Sequence, residues 1–404
     1  LRILLHDYAG HPFQAQLSRA LARRGHSVLH LHAAFFQTPK GRLARAPEDP
    51  STFAVEGLEL GAPFAKYRFL RRRAQERAYG KLLARRAAAW VPDLVLAANT
   101  PLDSLRELQE WCRALHIPFI FWLQDIYSLA IDRILRRKIG PLAAPIAGHY
   151  RAIERRIARD SDALVLISED FRPTLDAWGV PPGRISVIEN WAPRDELPAL
   201  PRDNAWSREH GLADKLVLLY AGTLGLKHNP ALLAALAERF AARPEIALVV
   251  VSEGPGAEWL AARQSAGALA NLRILPFQPY QRLPEMLASG DVLLAVLEAE
   301  AGAFAVPSKV LSYFCAGRPL LAAIPSANLA ARLIRRERVG LVVEPDNAGG
   351  FVMAAERLVN DAALRAWFGQ NALDYAGKTF DIEAIVARFE AVFAAVFEGG
   401  AATA

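Results

Sequence analysis

Apolar positions along the chain fall into short runs of strand length, separated by stretches of helical period. Leu1–His6 is an apolar run, Phe13, Leu17 and Leu21 recur at helical spacing up to Gly25, and His26–His32 is the next run. Leu94–Ala97, Pro118–Leu123 and Ala163–Ile167 continue the series. The segment from about Gln37 to Leu60 is polar and without period, which predicts loop with a short strand pair. The alternation breaks near Asn190–Pro201, where Pro193, Pro198 and Pro201 mark a linker. A second series then begins, with strands at Leu216–Tyr220, Ala247–Val251, Leu272–Leu275, Val292–Val296, Leu320–Ala323 and Leu341–Val343. Helices at Pro230–Phe240 and Arg282–Ala288 fill gaps between them, and no solenoid-type repeat is present. In the tail, Ile385, Val386, Phe389, Val392 and Phe393 share one helical face. The pattern predicts two doubly wound, parallel α/β domains facing a cleft, with ligands beyond the carboxyl ends of their strands.

Composition adds little to the fold and more to the setting. With 404 residues, 52% of them apolar and 22% charged, the chain has enough material for two or three cored domains. Cys112 and Cys315 lie in helical apolar patterns, which fits packing in a reduced compartment better than a disulfide or metal site. No apolar span approaches eighteen residues, and Leu1–His6 already reads as a strand rather than a leader, so a cytoplasmic protein is expected. Charge is uneven. Residues 1–159 hold 26 Lys/Arg against 13 Asp/Glu, a net of +13, whereas the remainder is net −7. Basic clusters at Arg68–Arg73, Arg85–Arg86, Arg133–Lys138 and Arg151–Arg159 have apolar residues such as Tyr67, Phe69, Leu70, Ile134 and Leu135 between their charges. Any one cluster reads as a solvated helical face; four in one half point to an anionic membrane surface. No nucleic-acid recognition motif accompanies them.

The loops after strands carry the candidate chemistry. Ala221–Asn229 offers Gly222 and Gly225 for close backbone approach, with Lys227 and His228 as cationic or donor groups. Ser252-Glu-Gly-Pro-Gly256 is a turn against which a base or ribose can pack, although turn chemistry alone accounts for it equally. After Val292–Val296, Pro307 and Ser308 read as a helix start and Gly317 with Pro319 as its stop, with Lys309 at the mouth of a short buried helix where an anion is favoured. Three such loops together point to a nucleotide diphosphate. Gly-x-Gly-x-x-Gly in the first loop, a P-loop, metal-ligand spacings and a nucleophile elbow are all absent. In the first domain, Asp125 ends an apolar strand, where it serves as a base or as a helix cap. His11 polarises a substrate hydroxyl or phosphate, or caps the helix that starts at Pro12.

In order along the chain, these stretches resemble the family 4 glycosyltransferases of GT-B fold, in the bacterial branch that builds capsule, colanic-acid-like and O-antigen polysaccharides. The resemblance rests on Ala20–Val28, Trp122-Leu-Gln-Asp-Ile-Tyr127, Val187–Trp191, Leu248–Pro255, Asn271–Phe277 and Asn371–Ala376, and it runs end to end. It implies transfer of a sugar from a nucleotide sugar, with retention and without bound metal or other cofactor, to a lipid-linked or oligosaccharide acceptor. Residues 1–190 are then expected to be the acceptor- and membrane-facing domain, 191–205 a linker, 206–375 the nucleotide-sugar domain, and 376–404 a helix packing back on the first domain. The expected site comprises Asp125, His11 and Lys309 for chemistry, and Gly222, Thr223, Lys227, Glu253, Gly254, Pro307, Ser308, Lys309 and Ser312 for the donor, expected to be a UDP-sugar. The enzyme is expected on the inner face of the plasma membrane as a peripheral protein.

The sequence departs from the family where it matters. Phe304 and Ser312 stand where most of the family has two glutamates, so ribose recognition falls to Glu253 or Ser312. Thr223 follows Gly222 in place of the usual arginine, and Lys227 comes one position early, which makes Lys309 the better diphosphate cation. Two other readings share the two-domain pattern: a nucleotide-sugar epimerase, and a non-catalytic sugar-binding protein.

Overall fold

A computed structural model describes residues 1–36, 41–65, 68–225, 228–267, 269–298 and 309–401. The chain divides into two compact units, Leu1–Asn190 with Ile382–Ala404, and Trp191–Asp381.

The first unit is built in the order β1 (Arg2–Asp7), α1 (Pro12–Arg23), β2 (Ser27–Ala33), β3 (Phe53–Leu58), α2 (Phe69–Trp90), β4 (Leu94–Ala98), α3 (Leu102–Ala114), β5 (Phe119–Leu123), α4 (Tyr127–Ile139), α5 (Ala144–Asp160), β6 (Ala163–Leu166), α6 (Arg172–Trp178) and β7 (Ile185–Val187). Its seven strands lie in the order β3-β2-β1-β4-β5-β6-β7, each parallel to its neighbour. Central strands are buried at every position (β4 and β5 entirely), because helices cover both faces of a parallel sheet and no polar face is needed. Among its described residues, the segment read as loop with a strand pair contributes a single edge strand, β3, paired parallel to β2; its partner is the sheet rather than a local hairpin.

The second unit follows with α7 (Ala205–Glu209), β8 (Leu216–Ala221), α8 (Pro230–Arg239), β9 (Ile246–Val251), α9 (Pro255–Ser265), β10 (Leu272–Leu275), α10 (Leu283–Ala288), β11 (Val292–Val296), α11 (Lys309–Cys315), β12 (Leu320–Ala323), α12 (Leu329–Arg336), β13 (Gly340–Val343), α13 (Ala348–Asn360) and α14 (Ala362–Thr379). Its six parallel strands run β10-β9-β8-β11-β12-β13. Leu218, Tyr220, Val250, Leu294, Phe351 and Leu358 are among the side chains filling its core. Gly340 shows how closely β12 and β13 approach, since a Cβ there would overlap the Leu320 carbonyl oxygen.

The last helix, α15 (Ile382–Ala401), belongs to the first unit. Its predicted apolar face is the buried one: Ile385, Val386, Phe389, Val392 and Phe393 are all at most 7% exposed. Phe389 meets Trp122 of β5 edge-on with ring centres 4.9 Å apart, and Phe13 of α1 meets the same indole at 5.7 Å. At the rim, Glu390 receives Arg24 and His26, and Glu383 receives Arg24.

Candidate functional site

In each sheet the strand order reverses between two neighbours, and loops leaving there diverge to open a crevice at the carboxyl edge. In the second unit those neighbours are β8 and β11. The turn after β8 begins at Gly222, with φ +122°, a conformation that only glycine adopts without strain. Lys309, the first residue of α11, reaches this turn. Its Nζ lies 3.8 Å from the centre of the Tyr220 ring, and a Cβ on Gly222 would stand 2.9 Å from that nitrogen. The nitrogen is shut off from solvent and has no hydrogen-bond partner among the described residues. Burial pushes its pKa down to about 7.

Tyr313, one helical turn beyond Lys309, fixes this arrangement. Its buried hydroxyl accepts from the Ala221 N–H at 3.1 Å and lies 3.1 and 3.3 Å from the carbonyls of Ala221 and Leu294. One side chain therefore joins α11 to the end of β8 and the middle of β11. The sequence pattern hides this, since Tyr313 reads as another apolar position of the helix.

The neighbouring turn packs against the first. Ser252, at the position where the family has its first glycine, accepts the Leu224 N–H at 3.0 Å. Gly254, with φ +109°, precedes α9, and the Gly256 N–H donates to the Leu224 carbonyl at 3.0 Å. Tyr220 donates to the Thr223 carbonyl at 3.0 Å, and the Gly225 N–H donates to His228 Nδ1 at 3.2 Å. Gly222, Thr223, Glu253, Gly254 and Lys309 thus share one edge of this unit. Glu253 is exposed and Ser312 is half-buried on α11. Lys227, Pro307, Ser308 and Phe304, with the expected helix start, lie outside the described residues.

In the first unit the reversal lies between β1 and β4. Asp7 is the last residue of β1 and is fully buried. His11, which precedes α1, puts its Nδ1 3.3 Å from Asp7 Oδ1 and 3.2 Å from the Asn99 amide nitrogen just beyond β4. Its ring makes no capping bond to α1, so the helix-cap reading of His11 does not hold; proline at the first helical position leaves fewer amides to cap. Burial works against charge on this imidazole, but Asp7 and, more weakly, Asp125 outweigh it and raise its pKa.

Asp125, half-buried after β5, is not a cap either. The first amides of α4, those of Tyr127 and Ser128, both donate at 2.8 Å to the buried Glu154 carboxylate. Burial raises Glu154 to about 7, with Asp125 adding to the rise. His11 and Asp125 are therefore gathered at one edge of the first unit. Asp7 and Asn99 were missed by sequence reasoning. Asp7 left a signal, a carboxylate closing an apolar strand; Asn99 left only its left-handed φ of +50°, which a sequence does not show.

Comparison with known proteins places these two edges in context. Residues 10–191 match the glycosyl transferase 4-like domain, and residues 203–374 match the glycosyl transferases group 1. A protein of Escherichia coli (strain K12) named as colanic acid biosynthesis glycosyl transferase WcaI is 25% identical over 349 residues, 85% of this chain and 80% of its own. Among solved structures, Anabaena Alr3699/HepE in complex with UDP-glucose superposes with a TM-score of 0.69 at 16% identity, covering 97% of this chain and 99% of that one. Sucrose-phosphate synthase from Thermosynechococcus elongatus gives 0.72 at 15% identity, covering 98% and 99%. At such identities the structural likeness establishes the fold alone.

Proposed function

Because the chain belongs to the glycosyltransferases that join a glycosyl transferase 4-like domain to a group 1 domain, we propose that it moves a sugar from a UDP-sugar to a lipid-linked or oligosaccharide acceptor in bacterial surface polysaccharide synthesis. The single observation that carries the donor site is the Lys309 side-chain nitrogen, buried against Gly222 at the β8–β11 switch point with no hydrogen-bond partner among the described residues. A buried cation with no partner is costly, and the diphosphate of a nucleotide sugar supplies the missing charge. In the reaction the bond from the anomeric carbon to the diphosphate breaks, and charge builds on the leaving oxygen. Lys309 stabilises that charge where water is excluded, and Gly222 lets the diphosphate approach the backbone. The first unit supplies the acceptor side, with Asp125 taking the acceptor proton and His11 donating to a substrate oxygen. Glu253 or Ser312 meets the ribose. The reading includes retention at the anomeric carbon and needs no metal. UDP is preferred on the likeness to the structure holding UDP-glucose, and the polysaccharide setting on the likeness to WcaI.

The transferase family match, rather than the shared fold, separates this reading from epimerisation. A peripheral place on an anionic membrane is part of it. Many of the arginines in the first unit are spent on ion pairs, such as Arg73 with Asp103, Arg86 with Glu56 and Arg156 with Asp160. Arg68, Arg71 and Lys138 are exposed, near Leu70 at 79% and Leu142 at 77% exposure in the sequence. Among the described residues no helix is long and apolar enough to cross a membrane.

Calorimetric titration of UDP-glucose and GDP-mannose into the wild type and Lys309→Ala tests the donor site. The wild type is expected to bind one of them, and Lys309→Ala to bind at least a hundredfold more weakly with its melting temperature kept. Equal affinity of the two proteins would remove Lys309 from the site.

A further inference from the structure

Asp7 is placed to do more than close a strand. It is fully buried, and its two oxygens collect the Ala9 N–H at 3.1 Å, the His11 backbone N–H, and the His11 Nδ1 at 3.3 Å. Gln14 of α1, with its side-chain amide turned to donate, adds contacts of 2.8 and 2.7 Å to the same two oxygens. A carboxylate this well supplied with donors is held as the anion. Burial pushes its pKa up, but His11 and the hydrogen bonds outweigh this and bring it below the ordinary value.

An anion beside Nδ1 fixes the histidine. The proton sits on Nδ1, and Nε2 remains as the nitrogen without a hydrogen-bond partner among the described residues. The His11 side chain is 31% exposed, which leaves it open to a ligand. We propose that Asp7 is a positioning residue for sugar transfer: it holds the His11 ring through Nδ1–H, so that Nε2–H is presented as a charged donor to an oxygen of the acceptor. The inference rests on the transferase reading and extends it to a residue to which neither the family match nor the loop motifs give a role.

The groups around the pair are consistent with a charged ring. Asp125 after β5 adds attraction to His11. On the far side of Asp7, His30 of β2 and His6 of β1 are fully buried, with pKa values driven down to about 4 and about 3 chiefly by burial, so neither competes as a cation near neutrality. Asn99, whose side-chain amide must then turn its oxygen to accept from Nδ1–H, and the Phe13 ring, 5.6 Å from the imidazole centre, complete the surroundings without charge.

The bland alternative is that Asp7 only staples the loop through Ala9 and the His11 backbone. Two measurements tell these apart. In wild-type protein, NMR titration of the His11 ring is expected to give a pKa above 6.5, falling by one unit or more in Asp7→Asn. The kcat of Asp7→Asn is expected to drop at least tenfold, with its alkaline limb moved to lower pH and KM for the donor changed much less. His11→Ala is expected to lose as much as the double variant, because Asp7 acts through the ring. A wild-type His11 titrating at or below the ordinary value overturns the proposal even should Asp7→Asn not fold. So does an Asp7→Asn penalty undiminished in the His11→Ala background. A shifted titration in a protein that transfers no sugar from any nucleotide sugar overturns the catalytic role and the transferase reading together, since the titration itself needs no substrate.

Discussion

With Lys309 holding the diphosphate as proposed, donor binding is expected to depend on pH in a definite direction. The lysine pKa is held near 7 in the free protein by burial, and a bound diphosphate raises it. Binding therefore takes up a proton above pH 7, and affinity falls as pH rises. UDP-glucose, whose diphosphate does not titrate between pH 7 and 9, is expected to bind about fivefold more weakly at pH 8 than at pH 7, the slope approaching tenfold per unit above that. Lys309→Met should bind weakly and with no such slope; a slope kept in Lys309→Met would assign the proton elsewhere. His6 and His30 act on stability instead. His30 bonds Ser18 at 2.8 Å, while His6 sits between Thr100 at 2.7 Å and Tyr79 at 3.0 Å. Both remain neutral in the fold far below pH 6.5, whereas the unfolded chain takes up protons there, so stability is present above about pH 6.5 and is lost on acidification. The loss is on the order of 3 kcal/mol for each by pH 4. Urea titrations at pH 7 and 4.5 should show it, with a smaller drop in His30→Gln.

Helix α15 is held by a face read from the sequence and by partners that were not. Phe389 is fully buried against Trp122, so Phe389→Ala is expected to destabilise the first unit by about 3–5 kcal/mol. Tryptophan fluorescence of Trp122 during urea unfolding should report the loss, and a midpoint matching the wild type would contradict the packing. Elements with a strong period were legible: β10, β11 and β12 lie where their apolar runs predicted, and the face of α15 is the predicted one. Long-range partners were not. β3 pairs with β2 across a polar stretch whose period is hidden by its edge position. The N-terminal amides of α4 are met by Glu154, about one helix further along the chain, so the local sequence pointed to Asp125 instead. At the carboxyl edge of the second sheet the lysine was visible, but Tyr313 and Tyr220, which fix its position, looked like ordinary core residues.

For the molecule as a whole, the positive excess of residues 1–159 becomes meaningful where it coincides with exposed apolar side chains. Vesicles containing anionic phosphatidylglycerol are expected to sediment the protein, and neutral phosphatidylcholine vesicles to leave it in solution. Leu70→Glu with Leu142→Glu should weaken that binding at least tenfold, since each buried leucine is worth roughly 1.5–3 kcal/mol. Equal sedimentation of the variant would remove these residues from the contact. The placement of α15 has a consequence of another kind. The first unit is assembled from two segments that flank the second, and the second from one uninterrupted stretch. During synthesis, Trp122 and the adjoining surface of α1 stay open until Ile382–Ala401 has been made. The unit made second can finish folding first, and a chain cut short after Asp381 keeps the whole second unit while the first is left incomplete.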